Sequence, residues 1–111
     1  LIFINPVIKS SCGKTTFLEG CDSCIFYRDD KKFYYTGMVF RPYKIEVEYF
    51  DINGNKITEF IEDFAATVFC HEYDHLNGVL HMDKVNEVFE MTLDDMKDYR
   101  VSHPYKVLSK F

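Results

Sequence analysis

His71, Glu72 and His75 form a His-Glu-x-x-His pattern in the second half of this 111-residue chain. Residues four apart lie on one face of a helix, so His71 and His75 can offer two imidazole nitrogens to one metal ion. Glu72 lies beside the first of these histidines, where its carboxylate can take a proton from a metal-bound water. Burying two imidazoles and two carboxylates without a metal or partners is costly, which favours a metal site over two ordinary core histidines.

A catalytic metal site needs a third protein ligand and one open position, and the sequence offers several candidates. The downstream candidates are His81, Glu87, Glu90 and His103. With His81, the pattern matches the H-E-x-x-H-x-x-G-x-x-H spacing of the metzincin metallopeptidases. Upstream, Cys21 follows a glycine in a turn-like segment, and a thiolate is a strong ligand for zinc or ferrous iron. The residues alone leave this choice open.

The elements that must position these residues form a strand-rich first half and a helical second half. Residues 1–8 predict an apolar strand, followed by a polar loop over 9–14. Alternation over 43–50 predicts a half-buried strand, 51–55 a hairpin turn, and 56–61 the returning strand. We therefore expect an α+β fold in which antiparallel strands pack around the helix that carries His71 and His75.

That central helix is predicted over about 62–77, since this run lacks Pro and Gly and Gly78 follows as a C-cap. It is apolar nearly all round, which predicts a buried helix. Residues 79–85 look extended. Thr92 is a plausible cap for a C-terminal helix over 92–100, which ends before Pro104.

Composition limits the classes of partner. The formal net charge of −5 argues against nucleic-acid binding, and no run of eighteen apolar residues predicts a membrane span. The cysteines are Cys12, Cys21, Cys24 and Cys70. Cys21 and Cys24 also form a C-x-x-C pair, but no second pair follows, so a zinc ribbon or a redox pair is the weaker interpretation. Cys12 and Cys70 are most simply structural. A metal-bound thiolate implies a reducing compartment.

Two segments together resemble the motifs of peptide deformylase. Glu19-Gly20-Cys21-Asp22-Ser23 is similar to the family's E-G-C-L-S, and Cys70-His71-Glu72-Tyr73-Asp74-His75-Leu76-Asn77-Gly78 is similar to its Q-H-E-x-D-H-L-x-G, with Cys21 fifty residues before His71. Residues 1–6 and 51–54 also look like the family's Asn-Pro strand and hairpin tip. The resemblance covers about residues 1–85.

The resemblance implies a ligand set and a reaction. Cys21, His71 and His75 would hold one divalent ion, Fe²⁺ or Zn²⁺, while His81 would not be a ligand. Glu72 would be the general base. The implied substrate is the N-formyl group on the first methionine of nascent chains at the ribosome, with formate as a product. The compartment would be a bacterial-type cytosol or an organelle, a mitochondrion or plastid.

The resemblance also implies a substrate site, and the sequence departs from the family motifs in three places. The Asp22 backbone N–H and Gly20 would face the developing oxyanion, and the methionine pocket would be lined by Phe17, Phe64, Thr67 and Val68. The family's upstream G-x-G-x-A-A-x-Q is not found, Asp22 replaces a Leu, and Cys70 replaces a Gln. We therefore expect residues 1–111 to form a single deformylase-like domain lacking its N-terminal part. The alternatives are a catalytically impaired relative and an unrelated metallopeptidase that uses His81.

Overall fold

The computed structural model describes residues 3–21 and 23–111, which form antiparallel sheets and two α-helices. In chain order the elements are β1 Ile4–Cys12, β2 Lys14–Glu19, β3 Ile25–Arg28, β4 Lys31–Arg41, β5 Lys44–Phe50, β6 Lys56–Glu62, α1 Phe64–Leu76, a 3-10 helix His81–Lys84, β7 Phe89–Met91, α2 Leu93–Ser102 and β8 Lys106–Ser109. The expected α+β class is confirmed. Neither helix is long and apolar enough to cross a membrane in the part of the chain that the structure describes.

The first sheet has the strand order β1-β5-β6 and carries one face of α1. Alternate residues of β5, namely Ile45, Val47 and Tyr49, point to the same side and are buried. Ala66 and Cys70 of α1 pack against them. This small core fixes α1 on the sheet, because these apolar side chains are removed from water only when the two elements meet.

The second sheet has the order β3-β4-β2-β8, and β7 pairs with the far part of β4. β4 is the long central strand, and it pairs with β2 from Thr15–Arg41 to Glu19–Gly37. Leu18 and Val39 are fully buried between this sheet and its neighbours. Cys21 follows β2 directly, so this sheet determines where the candidate thiolate lies.

Several sequence predictions are confirmed by these elements. β5 and β6 lie where the alternation indicated, and the intervening turn is closed by Asp51, whose carboxylate accepts from the backbone N–H groups of Asn53 and Asn55. Thr92 caps α2 by accepting from the Asp95 N–H. The predicted opening strand exists from Ile4 onward, while Leu1 and Ile2 lie outside the described residues.

Two local predictions are wrong. The polar loop expected over 9–14 is strand as far as Cys12, because β1 pairs with β5 through the Cys12–Lys44 register, and the chain turns only at Gly13. The extended segment expected over 79–85 contains the 3-10 helix His81–Lys84, which begins where the Asp83 carboxylate accepts from the Leu80 N–H.

The expectation that α1 is buried all round is also wrong. Phe64, Val68 and Leu76 are 41%, 52% and 72% exposed, since α1 packs against the first sheet on one side and against β2 and β4 on another, and the described residues leave its remaining face uncovered. α1 also begins at Phe64 rather than 62, because Glu62 still belongs to β6. Of the two cysteines expected to be structural, Cys70 is buried and Cys12 is exposed.

The exposed face of α1 forms one wall of an apolar groove of about 570 Å³, which we call the outer groove. Its other wall comes from β6 and the beginning of the described chain. The lining residues are Phe3, Pro6, Ile61, Ala65, Val68, Phe69, Glu72, Tyr73 and Leu76.

Candidate metal centre and active site

Three donor side chains converge at the junction of β2 and α1. The rings of His71 and His75, one turn apart on α1, have centroids 4.5 Å apart. The Cys21 Sγ lies 3.6 Å from the Nε2 of His75. One ligand atom from each of the three residues lies within 4.8 Å of the others. A thiolate with two imidazoles is a donor set that suits a divalent metal, and the partly buried position leaves one side open to solvent.

Gly20 brings Cys21 to this position. A Cβ on Gly20 would lie 2.7 Å from the Cε of Met96 and 3.2 Å from the Cγ2 of Thr36, so a larger residue would have to displace the end of the Met96 side chain and press on Thr36. Beyond it, the Cys24 N–H donates to the Cys21 carbonyl at 3.0 Å and closes a turn. The tight passage followed by a turn directs Cys21 toward α1.

Glu19 fixes the orientation of the first histidine. Its Oε1 lies 2.7 Å from the Nδ1 of His71. With Nδ1 engaged in this way, Nε2 is the ring nitrogen left for a metal, an arrangement common around metal-bound histidines. Burial alone would raise the pKa of Glu19, but hydrogen bonds from Arg41 and His71 outweigh it and hold that pKa below its usual value.

Arg41 holds Glu19 in turn. Its Nε and Nη2 donate to the two Glu19 carboxylate oxygens at 2.9 and 2.8 Å, while its Nη1 donates to Asp74. Asp74 also pairs with Lys84 at 3.0 Å. This buried network links β2, β4, α1 and the 3-10 helix behind the candidate ligands. A guanidinium fork is suited to this role because it binds a carboxylate with two parallel hydrogen bonds.

The Cys21 thiol lies in a polar setting. Its Sγ is 3.0 Å from the Ser23 hydroxyl. Burial alone would raise the pKa of Cys21, but hydrogen bonds from the Ser23 side chain and backbone and from His71 outweigh it and lower that pKa. The thiolate, which is the ligand form, is therefore favoured. The opposite holds for Cys70, where burial raises the pKa to about 11.

Glu72 lies next to this cluster, on the solvent side. Its side chain is 70% exposed, and its Oε2 lies 4.0 Å from the Nδ1 of His75. It therefore borders the open side of the donor cluster, where a water could reach both the metal position and the carboxylate.

A cavity of about 230 Å³ opens beside the cluster. Five residues predicted for the substrate site line it together, namely Phe17, Gly20, Phe64, Thr67 and Val68. Glu19, His71, Glu72 and Arg100 complete its wall. Thr67 is buried with its hydroxyl 3.5 Å from that of Thr15, while the Phe17 and Phe64 rings meet edge to face at 5.0 Å. Asp22, the remaining predicted residue, lies outside the described residues.

Three of the other candidate ligands contact different partners. His81 is buried, and its Nε2 lies 2.8 Å from the Tyr35 carbonyl oxygen, with its ring centroid 5.9 Å from that of His71. Glu90 pairs with Arg28, and His103 stacks on Tyr99. Among the described residues, the cluster with ligand-like spacing contains Cys21, His71 and His75.

Sequence reasoning missed three charged residues around the site. Arg41, Asp74 and Arg100 were given no role, and Glu19 was read only as part of a motif. Arg41 is 22 residues from Glu19, and Arg100 is 82 residues from the Leu18 carbonyl that it binds. No local pattern signals such contacts. The one available signal was that Glu19 follows the apolar pair Phe17-Leu18 at the end of an extended segment.

Comparison with known proteins identifies the family of this chain. The family model described as polypeptide deformylase matches residues 1–90. The chain belongs to the polypeptide deformylase family. A peptide deformylase of Finegoldia magna is 38% identical over 99 residues, which is 88% of this chain and 56% of the relative. Peptide deformylase 2 of Clostridium acetobutylicum is 42% identical over 84 residues, which is 76% of this chain and 51% of the relative.

Solved deformylase structures have the same fold. The Plasmodium falciparum peptide deformylase in complex with an inhibitor matches with a TM-score of 0.62 and 34% identity, covering 89% of this chain and 56% of that one. The Thermotoga maritima enzyme matches with a TM-score of 0.61 and 36% identity, covering 77% and 53%. The chain spans about half the length of the curated deformylases that it matches.

Proposed function

We propose that this chain is the metal-binding part of a deformylase that removes the N-formyl group from the N-terminal methionine of nascent polypeptides. The observation that carries the proposal is the meeting of Cys21, His71 and His75 beside a mostly apolar cavity, whose wall contains His71 and Glu72. Membership of the polypeptide deformylase family supports the same reaction.

The proposed cofactor is one divalent ion, Fe²⁺ or Zn²⁺, held by Cys21, His71 and His75. Both ions accept a thiolate and two imidazoles, so the donor set does not select between them. When bound, such an ion acts as a Lewis acid that lowers the pKa of water and polarises a carbonyl oxygen. Glu19 would keep the His71 ring turned toward the ion.

Glu72 is the proposed general base. Its carboxylate would hold the attacking water, accept its proton, and then deliver that proton to the departing amine. The carbonyl of a formyl group carries only a hydrogen, so attack on it meets little steric resistance. The backbone N–H of Asp22, next to Gly20, is the proposed donor to the developing oxyanion.

The cavity is the proposed methionine pocket. Phe17, Phe64, Thr67 and Val68 line it with mostly apolar surface, as an unbranched apolar side chain requires. Because the cavity lies beside the donor cluster, a methionine side chain inserted into it would bring the formyl carbon near Glu72. Binding of the methionine side chain would thus position the formyl carbon for attack.

We further propose that residues 1–111 are a single deformylase-like domain that needs an additional N-terminal segment, which would make α1 a central helix surrounded by protein. The outer groove supports this, because an apolar groove of about 570 Å³ beside the candidate base is typical of a surface that another segment covers. The proposed partners are formylated nascent chains, without direct nucleic-acid or membrane contact, in a reducing cytosol or organelle.

The test is hydrolysis of a formyl-methionyl peptide by the chain loaded with Fe²⁺ or Zn²⁺, with and without the family's G-x-G-x-A-A-x-Q segment supplied. Formate release that depends on metal and on Glu72 supports the proposal. A chain that binds metal at Cys21 but never releases formate, even with the segment, would instead be a catalytically impaired relative. Metal binding that depends on His81 rather than Cys21 would favour the other metallopeptidase class.

A further inference from the structure

Arg100 is an unexpected cation in the wall of the proposed methionine pocket. It lies in the last turn of α2, and its side chain reaches the cavity shared by Phe17, Phe64 and Val68. Its Nε and Nη2 donate to the Leu18 carbonyl oxygen at 3.2 and 2.7 Å. Its guanidinium carbon lies 4.6 Å from the Phe17 ring centroid. These contacts fix the plane of the guanidinium within the wall.

Arg100 forms no salt bridge among residues 3–21 and 23–111, and Glu19 is the carboxylate that attracts its charge from a distance. Its Nη1 has no hydrogen-bond partner among those residues and is accessible to solvent, which a ligand entering the cavity would displace. Both oxygens of the nearby Glu19 carboxylate already accept from Arg41, and one of them also contacts His71. Burial lowers the pKa of Arg100. Arg41 differs, because its bonds to Glu19 and Asp74 outweigh burial and raise its pKa.

A partly buried cation whose nearest carboxylate is already bound by another arginine is only partly compensated, and the binding of an apolar side chain does not require one. The donors of Nη1 would be satisfied by an acceptor atom on the ligand that enters the cavity. Among side chains of this length, norleucine has a methylene group where methionine has a weakly accepting sulfur, and methionine sulfoxide carries a strongly accepting oxygen on that sulfur.

We propose that Arg100 is a specificity-determining residue that donates to an acceptor atom near the end of the first side chain, so that this pocket accepts N-formyl-methionine sulfoxide as well as N-formylmethionine and disfavours the hydrocarbon isostere. This inference rests on the proposed function. Because a hydrogen bond from a charged donor is at stake, we expect about a ten- to hundredfold preference for the sulfoxide over norleucine.

The experiment compares three formylated tripeptides that differ only in the first side chain, which is methionine sulfoxide, methionine or norleucine. The readout is the ratio of kcat/KM values within one metal-loaded protein sample, since a ratio does not depend on the folded fraction. Arg100→Met should reverse the preference, making norleucine the better substrate and the sulfoxide the worst. Arg100→Lys, which keeps the charge but loses the fork, should give an intermediate ratio.

Arg28→Met is the matched control, because Arg28 pairs with Glu90 and is not among the residues that line the cavity. It should leave the three ratios unchanged. If the unaltered chain prefers norleucine, or if Arg100→Met lowers all three rates equally, Arg100 only supports the wall and the inference is overturned.

Failure of the proposed function has a different signature. In that case the metal-loaded chain releases formate from none of the three peptides. Equilibrium binding of the same peptides, followed by calorimetry, then tests Arg100 separately. A sulfoxide preference that disappears in Arg100→Met supports the inference without turnover, whereas equal affinities or no binding overturn it.

Discussion

Glu19 supports the candidate metal site without being one of its proposed ligands. It stands between the Arg41 fork and the Nδ1 of His71, and it is almost fully buried. A neutral histidine donates from one nitrogen and accepts at the other, so with a carboxylate on Nδ1 the nitrogen left for the proposed metal is Nε2. The pair of Glu19 and Arg41 therefore holds the His71 ring in one orientation.

Replacing Glu19 by Gln should weaken metal binding about ten- to a hundredfold, the usual effect of losing a carboxylate behind a metal-bound histidine. Competition with a chromogenic chelator measures the affinity, and circular dichroism checks that the fold is kept. Glu90→Gln removes a carboxylate far from the donor cluster and is the control. Unchanged affinity in Glu19→Gln would mean that α1 alone orients His71.

Cys21→Ala should remove most of the bound metal, because two imidazoles on an open surface hold a divalent ion far more weakly than a three-ligand set. Metal content per chain, measured by emission spectrometry after dialysis, is the readout. Cys12→Ala is the matched control, since Cys12 is an exposed thiol on β1 outside the cluster. Full metal content in Cys21→Ala would show that the ligand set is wrong.

Glu72→Ala should keep the metal and reduce formate release by about a hundredfold to ten-thousandfold, the range for loss of a general base. The physical reason is that Glu72 borders the donor cluster without being one of its members. Metal content and kcat are measured on the same sample. A variant that loses both together would identify Glu72 as a structural or ligand residue instead of a base.

At this scale, how much the sequence predicted depended on distance along the chain. His71, Glu72 and His75 could be read because helix geometry alone brings positions 71 and 75 to one face. Cys21 needed a family resemblance, since no local rule relates it to α1. Arg41 and Arg100 could not be found, because their roles exist only after β4 and α2 have packed against β2.

Among the elements, α1 ends as its sequence indicates. Gly78 has φ +73, its N–H donates to the His75 carbonyl, and the Val79 N–H donates to that of Asp74. These bonds form a Schellman motif, which requires the left-handed conformation that glycine adopts without strain. The element ends that were mispredicted behave differently. β1 continues past its apolar part because its backbone pairs with β5 as far as Cys12. This pairing between strands outweighs the polarity of the local sequence.

Gly78→Ala should lower the free energy of unfolding by about 1–2 kcal/mol, since an L side chain is strained in the left-handed region. No atom lies within 4 Å of the position that the new Cβ would take, so steric clash contributes nothing. Urea unfolding gives the value. Gly78→Asn is the matched variant, because asparagine tolerates this conformation better and should cost less. Equal costs for the two variants would contradict the conformational explanation.

As a whole, the molecule is more extended than a compact domain of its size. Its radius of gyration is 15.6 Å, against about 13 Å for a compact chain of 100 residues. Its principal extents are 50 × 30 × 21 Å. One face of α1, which borders the outer groove, is left uncovered by the described residues. The sequence predicted an apolar helix surface correctly, but apolarity alone does not say which element covers it.

Two observations at this scale bear on the rate of the proposed reaction. Val68 and Glu72 line both the outer groove and the substrate cavity, so the two spaces meet at the candidate base. Glu72 is 70% exposed. Electrostatic stabilisation of a transition state is strong only where water is excluded, because water screens the charges that would act on it.

We therefore predict that residues 1–111 alone bind metal but deformylate slowly. Covering the outer groove with an apolar segment should raise kcat, because it would dry the surroundings of Glu72 and could add an oxyanion donor. One missing donor typically costs a hundredfold to a thousandfold in rate. The measurement compares kcat of the chain alone with that of the chain fused to the family's G-x-G-x-A-A-x-Q segment. In the fusion, Leu76→Lys should reverse much of the gain, because Leu76 lies in the groove and outside the substrate cavity. Equal rates with and without the segment would show that the described residues already exclude water from Glu72 during turnover.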